Sequence, residues 1–442
     1  MPALVPIAAW LLAGWAGQAA HAQFDPAKVV AERPAIAARY APPPVAYSTP
    51  GFRPGRTDFP SHAEMLAYVD DLARQSPHLK VEPLGLTQQG RVMPLLVLAQ
   101  QFAGPRAELL KQVNLLIIAR GNPDGAERFA WVTASGIDVN RDHLLLHTPE
   151  ARMIAEATLR YHPQVVMDLH EFTVAGRWVD KFGVVQKCDG LLQPATVGNL
   201  DPQIAAVAQQ HYVERIQAAF KQAGLAGFKY HTTAGASPHD KTVSMGGVQP
   251  DTGRNVNGLR PAISLLLEVR GVGLGRINFA RRVYTQVLAA STVIEAAAQQ
   301  GQRLIDLVAT AERNAAAQAC RGDLVVEAWQ TPMRQKLEFL DAVTGEDRVI
   351  EVDWRSAEQL QVVNSRPRPC GYLLAASEAQ AAARLQQLGA RVEQVTGAGV
   401  WTVERYRTEA QEAAQRQDAR GAIDDAQAIR RFKVSTRPGR AG

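Results

Sequence analysis

The chain alternates between segments in which apolar residues recur at helical spacing and segments that are apolar throughout. Helical spacing begins after Ser61, and Glu64 stands where it completes a capping box, so a helix is predicted to begin there. The runs 165–169 and 262–269 are instead continuously apolar, as in strands that are buried on both faces of a sheet. These two kinds of segment predict a layered fold of helices and strands.

Capping and turn residues delimit the remaining elements. Thr148-Pro149 and Asp201-Pro202 each have a capping side chain followed by a proline, which is typical of a helix start. A long helix is predicted over 276–317 with a break near Gly301, and further strands are predicted at 79–87, 93–99 and 113–118. Because strands alternate with helices up to this point, we predict an α/β fold with helices on both faces of the sheet.

The character of the sequence changes after Cys320. A helix is predicted at 377–388, ended by Gly389, and short strands are predicted at 324–329, 348–352 and 391–395. We therefore predict a small C-terminal α+β domain over 320–406, after a main domain over 61–300.

The two ends of the chain differ from these domains in composition. Residues 23–60 are rich in proline and alanine and are interpreted as an extended lead-in. Residues 407–442 are rich in glutamine, arginine and alanine and are predicted to form a flexible tail.

The N-terminus has the pattern of a secretory signal peptide. An apolar stretch runs from Leu4 to Trp15, and Ala20-His21-Ala22 forms an A-x-A cleavage site, so 1–22 is predicted to be removed. No lysine or arginine precedes the apolar stretch, and an uncleaved anchor or a buried helix is the alternative. We expect an exported protein, periplasmic or extracellular, with no membrane span after cleavage, because no later apolar run approaches the ~20 residues that a span needs.

Composition and charge narrow the class of protein. The 442 residues are 46% hydrophobic, with 48 Lys+Arg against 43 Asp+Glu, which is typical of a globular chain. The formal charge of +5 is spread along the sequence without a dense basic block, so nucleic acid is not an expected partner. Of the three cysteines, Cys320 and Cys370 are the plausible disulfide pair in an oxidising compartment, and no C-x-x-C spacing indicates a structural zinc site.

Four clusters carry side chains suited to chemistry. Two are loops, N-P-D-G at 122–125 and G-I-D-V-N-R-D-H at 136–143, and the others stand late in apolar strands, D-L-H-E at 168–171 and Glu268. Ligands bind at the carboxyl ends of strands in open α/β sheets. A carboxylate there is desolvated, which raises its pKa toward the range used in general acid–base catalysis.

In this order, the four clusters resemble the zinc carboxypeptidases of the carboxypeptidase A type over roughly residues 60–300. The resemblance implies an α/β fold with a mixed sheet flanked by helices. It also implies that His170 is the third ligand of a zinc ion (Zn2+) and that Glu268 is the general base. Asn140 and Arg141 match the pair that binds the terminal carboxylate of the substrate, and Arg128 is the candidate for the arginine that stabilises the oxyanion.

The candidate residues also have structural interpretations. Asn140-Arg141 could be an ordinary turn with an ion pair to Asp138 or Asp142. Glu268 could be the structural partner of Arg270 or Arg254. The loop 246–255, which contains Arg254, is interpreted as a substrate-binding lid, with a plain surface loop as an equal alternative. No tyrosine occurs in 231–267, where the family usually places one, and Tyr230 is not assigned that role.

The sequence departs from the family where the first two zinc ligands belong. The family supplies them from an H-x-x-E loop, but residues 100–112 contain no histidine, and their only carboxylate is Glu108. This segment is just long enough for a parallel crossover between its two flanking strands. The H-x-x-E sequences that begin at His147 and His211 are better explained as helix residues, which leaves His143 as the foremost substitute ligand.

Three hypotheses of function follow. The first is an exported zinc metallocarboxypeptidase that uses zinc-activated water to remove C-terminal residues from peptides or cell-wall peptides. The second is a protein that binds peptide C-termini without catalysis. The third is that 98–101 marks a deletion or a gene-model error that removed the ligand loop.

Overall fold

The computed structural model describes residues 25–98, 107–235, 237–396, 401–413 and 430–441. The predicted signal peptide at 1–22 lies outside these residues, as does most of the segment in which the H-x-x-E loop is missing. Within the described residues, no helix has both the length and the apolar character needed to cross a membrane.

The first sheet is an antiparallel meander near the start of the main domain. It contains β1 (Leu79–Leu86), β2 (Val92–Leu98) and β3 (Leu115–Ile118), in the order β1-β2-β3. Helices α1 (Pro34–Ala37) and α2 (His62–Gln75) precede it, and α3 (Ala107–Leu110) lies before β3. The capping box of Ser61 and Glu64 is confirmed. The expected parallel crossover is wrong, because β2 and β3 are antiparallel neighbours and need none.

Helices and strands are interspersed along the rest of the main domain, with bounds as follows: α4 (Pro123–Arg128), α5 (Pro149–Tyr161), β4 (Val165–Thr173), α6 (Arg177–Phe182), β5 (Val184–Gln186), β6 (Gly190–Pro194), α7 (Pro202–Val207), α8 (Glu214–Gln222), β7 (Gly227–Lys229), β8 (Thr242–Ser244), α9 (Gly253–Leu259), β9 (Ile263–Val272), α10 (Phe279–Gln300) and α11 (Gln302–Ala317). A π-helical turn, Ala208–Val213, joins α7 to α8, and Gly301 interrupts the last long helix as predicted. The α/β prediction is thus confirmed.

The second sheet has the order β4-β9-β6-β7 and is mixed. β4 runs parallel to β9, β9 is antiparallel to β6, and β6 is parallel to β7. Along β9, Ile263, Leu265 and Leu267 are fully buried in a core formed with α7, α8, α10 and α11. Because side chains alternate across a strand, Leu266 and Glu268 face the opposite side of the sheet.

A third sheet joins the C-terminal region to the main domain. β10 (Asp323–Asp341) and β11 (Asp347–Pro367) form a long hairpin, and the sheet order is β5-β10-β11-β8. The disulfide between Cys320 and Cys370, which lies at the base of this hairpin, confirms the predicted pairing. Near the site described below, the Gln330 amide donates to the carbonyls of Met245 (2.6 Å) and Gly246 (3.1 Å).

The remaining elements are α12 (Ala379–Gln387), β12 (Trp401–Ala413) and β13 (Arg430–Ala441). The helix confirms its prediction, whereas 391–395, predicted as a strand, has no regular structure because it has no pairing partner among the described residues. β12 and β13 form an antiparallel pair that begins in the predicted small domain and continues in the region predicted as a tail. The domain limits 61–300 and 320–406 stay predictions.

The lead-in crosses the main domain and binds Arg270. The Glu32 carboxylate accepts a hydrogen bond from the Arg270 guanidinium at 2.9 Å, and the Tyr40 ring lies 3.6 Å from that guanidinium. The backbone of Val30 also donates to the Gly273 carbonyl at 2.7 Å. Arg270 is therefore neutralised by the lead-in and is not the ion-pair partner of Glu268.

Candidate active site

The centre of the candidate site lies on one face of the β4–β9 pair. His170 and Glu268 are direct partners in the parallel register, so their side chains project from the same face. Asp168, two residues earlier on β4, projects from that face as well. Its carboxylate Oδ2 lies 2.8 Å from the His170 Nε2. The two strands therefore bring together an imidazole and two carboxylates.

Burial and neighbouring charges shift the pKa values of these groups. Burial raises the pKa of Glu268 to about 7, although the nearby His170 opposes the shift. Burial alone would lower the pKa of His170, but the Asp168 carboxylate outweighs it, and the pKa rises to about 9. At neutral pH, His170 is thus a cation paired with Asp168, and Glu268 is close to its titration midpoint.

Tyr230 completes this centre and was not assigned from the sequence. It follows β7, and its backbone N–H donates to the Leu192 carbonyl at 2.8 Å, which extends the β6–β7 pairing by one residue. Its hydroxyl hydrogen-bonds the Glu268 carboxylate. Tyr230 lies beside Glu268 only because of the order of the strands in the sheet, and the spacing of sequence motifs does not reveal that order.

The loop 136–143 lies beside this centre. Asp138 caps a 3₁₀ turn, Val139–Arg141, by accepting from the Asn140 N–H at 2.8 Å. The Asn140 side-chain oxygen accepts from the Gly253 N–H at 2.8 Å, which ties the loop to the start of α9. Arg141 donates to the carbonyl of Asn140 at 2.7 Å and acts electrostatically on Tyr230. Among the described ion pairs, none joins Arg141 to Asp138 or Asp142, so the interpretation as a salt-bridged turn is not supported.

Arg254 is a second arginine near Tyr230. Its side chain is only 4% exposed, and its Nη2 donates to the Gly247 carbonyl. Its charge interacts with Tyr230, Arg141 and Glu268, and burial lowers its pKa to about 10. Its Nε has no hydrogen-bond partner. The predicted residues Asn140, Arg141, His170, Arg254 and Glu268 are thus brought together in one site.

Arg128 is the predicted site residue that lies apart from this group. It is exposed at the end of α4, where its guanidinium donates to the carbonyls of Asp124 (3.3 Å) and Thr133 (2.8 Å). These contacts hold it against its own helix and the following loop. In the described part of the chain, no contact joins it to His170 or Glu268, so its role in stabilising an oxyanion stays a prediction.

Comparison with known proteins identifies the relatives of this chain. It is 26% identical over 323 residues to "Probable carboxypeptidase 2" of Trichophyton verrucosum, which covers 73% of this chain and 61% of the relative. It is 26% identical to "Carboxypeptidase 2" of Trichophyton equinum over 73% of this chain and 59% of that protein. The chain is thus similar to proteins named as carboxypeptidases. It spans about three fifths of the length of these curated relatives.

The other comparisons add less. No family model matches the chain. A metallo-carboxypeptidase structure from Pseudomonas aeruginosa aligns at 16% identity over 53% of this chain and 69% of that protein, with a TM-score of 0.38.

The zinc carboxypeptidases hold a metal ion, so the described side chains must be tested for one. In the described ranges, no group of three or more His, Cys, Asp or Glu side chains is arranged to hold a metal. His170 is paired with Asp168. His143 lies near both, but its expected role as a substitute ligand is not supported, because it forms no metal-holding group with them among the described residues. His147 and His211 are exposed on the surface, and residues 99–106 include no histidine, cysteine or carboxylate. The donor set therefore does not fit a zinc ion held by three protein ligands.

Proposed function

We propose that this chain is an exported relative of the carboxypeptidases and that it binds the free C-terminal end of peptides or cell-wall peptides. The observation that carries the proposal is the pair of guanidinium groups, Arg141 and Arg254, which both lie close enough to Tyr230 to act on its pKa in the lowering direction. Within the described residues, neither has a carboxylate within the 4.0 Å of an ion pair. A guanidinium offers parallel N–H donors that match a carboxylate, so this pair supports an anionic ligand.

The neighbouring side chains support a peptide end as that ligand. The Asn140 amide nitrogen stands beside Arg141 and is a donor for the second oxygen of a terminal carboxylate or for a peptide carbonyl. The Tyr230 hydroxyl and Glu268 lie near both arginines. A chain that ends at Arg141 would therefore have its last peptide bond near Glu268.

Hydrolysis of that last peptide bond is the second candidate function, and Glu268 favours it. A carboxylate with a pKa of about 7 can accept a proton from water and return it to a leaving amine near neutral pH. The relationship to named carboxypeptidases supports the same role. The described side chains do not supply a zinc site, and for this reason peptide binding is favoured over peptide hydrolysis.

Calorimetric titration with two forms of one peptide tests the binding function. We expect a tripeptide with a free C-terminal carboxylate to bind at least about tenfold more tightly than its C-terminal amide, because one charge-assisted contact is worth about 1.5–3 kcal/mol. Arg141→Gln should remove most of this difference, whereas Arg177→Gln, which removes an exposed arginine on α6, should leave it unchanged. Equal affinity for the two peptide forms would overturn the proposal.

Metal content and hydrolysis separate the two functions. We expect purified protein to carry well below one zinc per chain by mass spectrometry and to leave peptides uncleaved. Stoichiometric zinc together with chelator-sensitive cleavage would instead establish the enzyme. In that case His170→Ala should lose metal, and unchanged metal content would show that His170 is not a ligand.

A further inference from the structure

We propose that Arg254, with the neighbouring Gln193 and Gly246, forms a pocket that receives an acidic side chain, so that the preferred ligand ends in glutamate or aspartate. This inference rests on the proposed function, because it concerns the last residue of the bound peptide. It follows from the presence of two arginines in the site, from how deeply each is buried and from the groups that each contacts.

The first observation is a buried cation without a counter-ion. Arg254 is 4% exposed, its Nε has no hydrogen-bond partner, and Gly247 supplies a carbonyl to Nη2. The ion pairs of the described residues include none for Arg254. Burying an unpaired charge is unfavourable, and a ligand carboxylate would relieve the penalty.

The second observation is that the pocket wall around Arg254 is polar. Gln193, which is fully buried, lies opposite Leu266 in the β6–β9 register and therefore shares the sheet face of Glu268. Its Oε1 accepts from the Gly246 N–H at 2.8 Å, and its Nε2 donates to the Thr196 hydroxyl at 2.7 Å. A guanidinium and an amide thus replace the apolar surface that would favour an aromatic or aliphatic side chain.

The third observation is that the two arginines, Arg141 and Arg254, lie at different depths. Arg141 is partly exposed and stands next to Asn140, whereas Arg254 is deeper and lies against Gly246 and Gly247. One guanidinium is enough for a terminal carboxylate, so the second remains for another carboxylate on the same ligand. A dicarboxylic residue at the C-terminus supplies both groups.

The test compares isosteric peptides that differ only in charge. N-acetyl-Ala-Glu and N-acetyl-Ala-Gln are titrated into the unmodified chain at pH 7, followed by the corresponding Asp and Asn peptides. We expect the acidic member of each pair to bind at least about tenfold more tightly. Because this comparison uses the unmodified chain, it does not depend on whether any variant folds.

Variants locate the source of the preference. Arg254→Gln should reduce the ratio of affinities to about one, Arg254→Lys should retain part of it, and the exposed control Arg177→Gln should retain all of it. Circular dichroism shows whether each variant is folded. A ratio that persists in folded Arg254→Gln would overturn the assignment of this residue.

Failure of this inference is distinguishable from failure of the proposed function. If both Glu and Gln peptides bind equally and their amides bind weakly, the peptide end is recognised but the acidic preference is wrong. If free acids and amides bind alike, the proposed function itself is wrong, and this inference falls with it.

Discussion

His170 and Glu268 are partners in the parallel register of β4 and β9, and each side chain influences the pKa of the other. Had they projected from opposite faces of the sheet, the residues that resemble those of the zinc carboxypeptidases would not have formed one site. Their shared face instead positions a cation and a titrating carboxylate side by side. The arrangement makes Glu268 the group to test for proton transfer.

If the chain hydrolyses peptides, as in the second candidate function, we expect Glu268→Gln to reduce the rate about 10²- to 10⁴-fold, which is the usual contribution of a general base. Peptide affinity should change far less, because Arg141 and Arg254 remain in place. The rate is measured by chromatographic detection of the released amino acid, and affinity by calorimetry. The control is Glu156→Gln, which removes an exposed carboxylate on α5. If the parent chain cleaves peptides, a variant that cleaves them equally fast would refute the assignment.

Gly246 is predicted to be essential to the pocket. A Cβ atom at this position would lie 2.7 Å from the Arg254 Nη2 and 2.8 Å from the Gln193 Oε1, so one of these buried groups must move. We expect Gly246→Ala to lower the free energy of unfolding by about 1–3 kcal/mol and to weaken peptide binding about tenfold.

The matched control is Gly371→Ala, since a Cβ there meets no atom within 4 Å. Its free energy of unfolding should stay within about 0.5 kcal/mol of the parent value. Urea unfolding and calorimetry measure both variants. Unchanged stability and binding in Gly246→Ala would show that the glycine has no role in shaping the pocket.

His231 is predicted to make the fold sensitive to acid. It is 4% exposed, its Nδ1 donates to the Lys229 carbonyl at 2.8 Å, and the rings of Trp178 and Trp354 lie 5.7 Å and 5.8 Å away. Burial lowers its pKa from 6.5 to about 4. Between these values the unfolded chain binds a proton that the folded chain does not, so stability present above pH 6.5 is lost as the pH falls toward 4.

The expected loss is at most about 3 kcal/mol of the free energy of unfolding. Urea unfolding at a series of pH values measures it, and His231→Phe should reduce the change across this range even if its stability at pH 7 is lower. The exposed residue His211 provides the control, His211→Gln, which should keep the parent slope. An equal slope in His231→Phe would rule out this histidine as the source.

Local signals in the sequence predict most of the elements, and they identify the centre of the site as well. Glu268 and His170 could be found because each is a polar residue late in an apolar strand, a pattern that marks an active edge regardless of sheet order. The capping residues Ser61 and Thr148 likewise predict their helix starts from side-chain chemistry alone.

What could not be predicted depends on which strands become neighbours. Tyr230 reaches Glu268 because β7 pairs with β6, and β6 in turn pairs with β9. Arg128 was selected by its position between two motifs, but its hydrogen bonds are to nearby backbone. The antiparallel pairing of β2 with β3 is also a tertiary property, since a segment long enough for a crossover does not require one.

The amide of Gln330, on the C-terminal hairpin, donates to the carbonyls of Met245 and Gly246. These two residues directly precede Gly247, whose carbonyl accepts a hydrogen bond from Arg254. A protein truncated before β10 would retain each residue assigned to ligand recognition but lose the strand that immobilises Met245 and Gly246. Selectivity is therefore open to change by substitutions in the β10–β11 hairpin, which carries none of the residues assigned to ligand recognition, and recombinant fragments designed around the main domain alone would give misleading affinities.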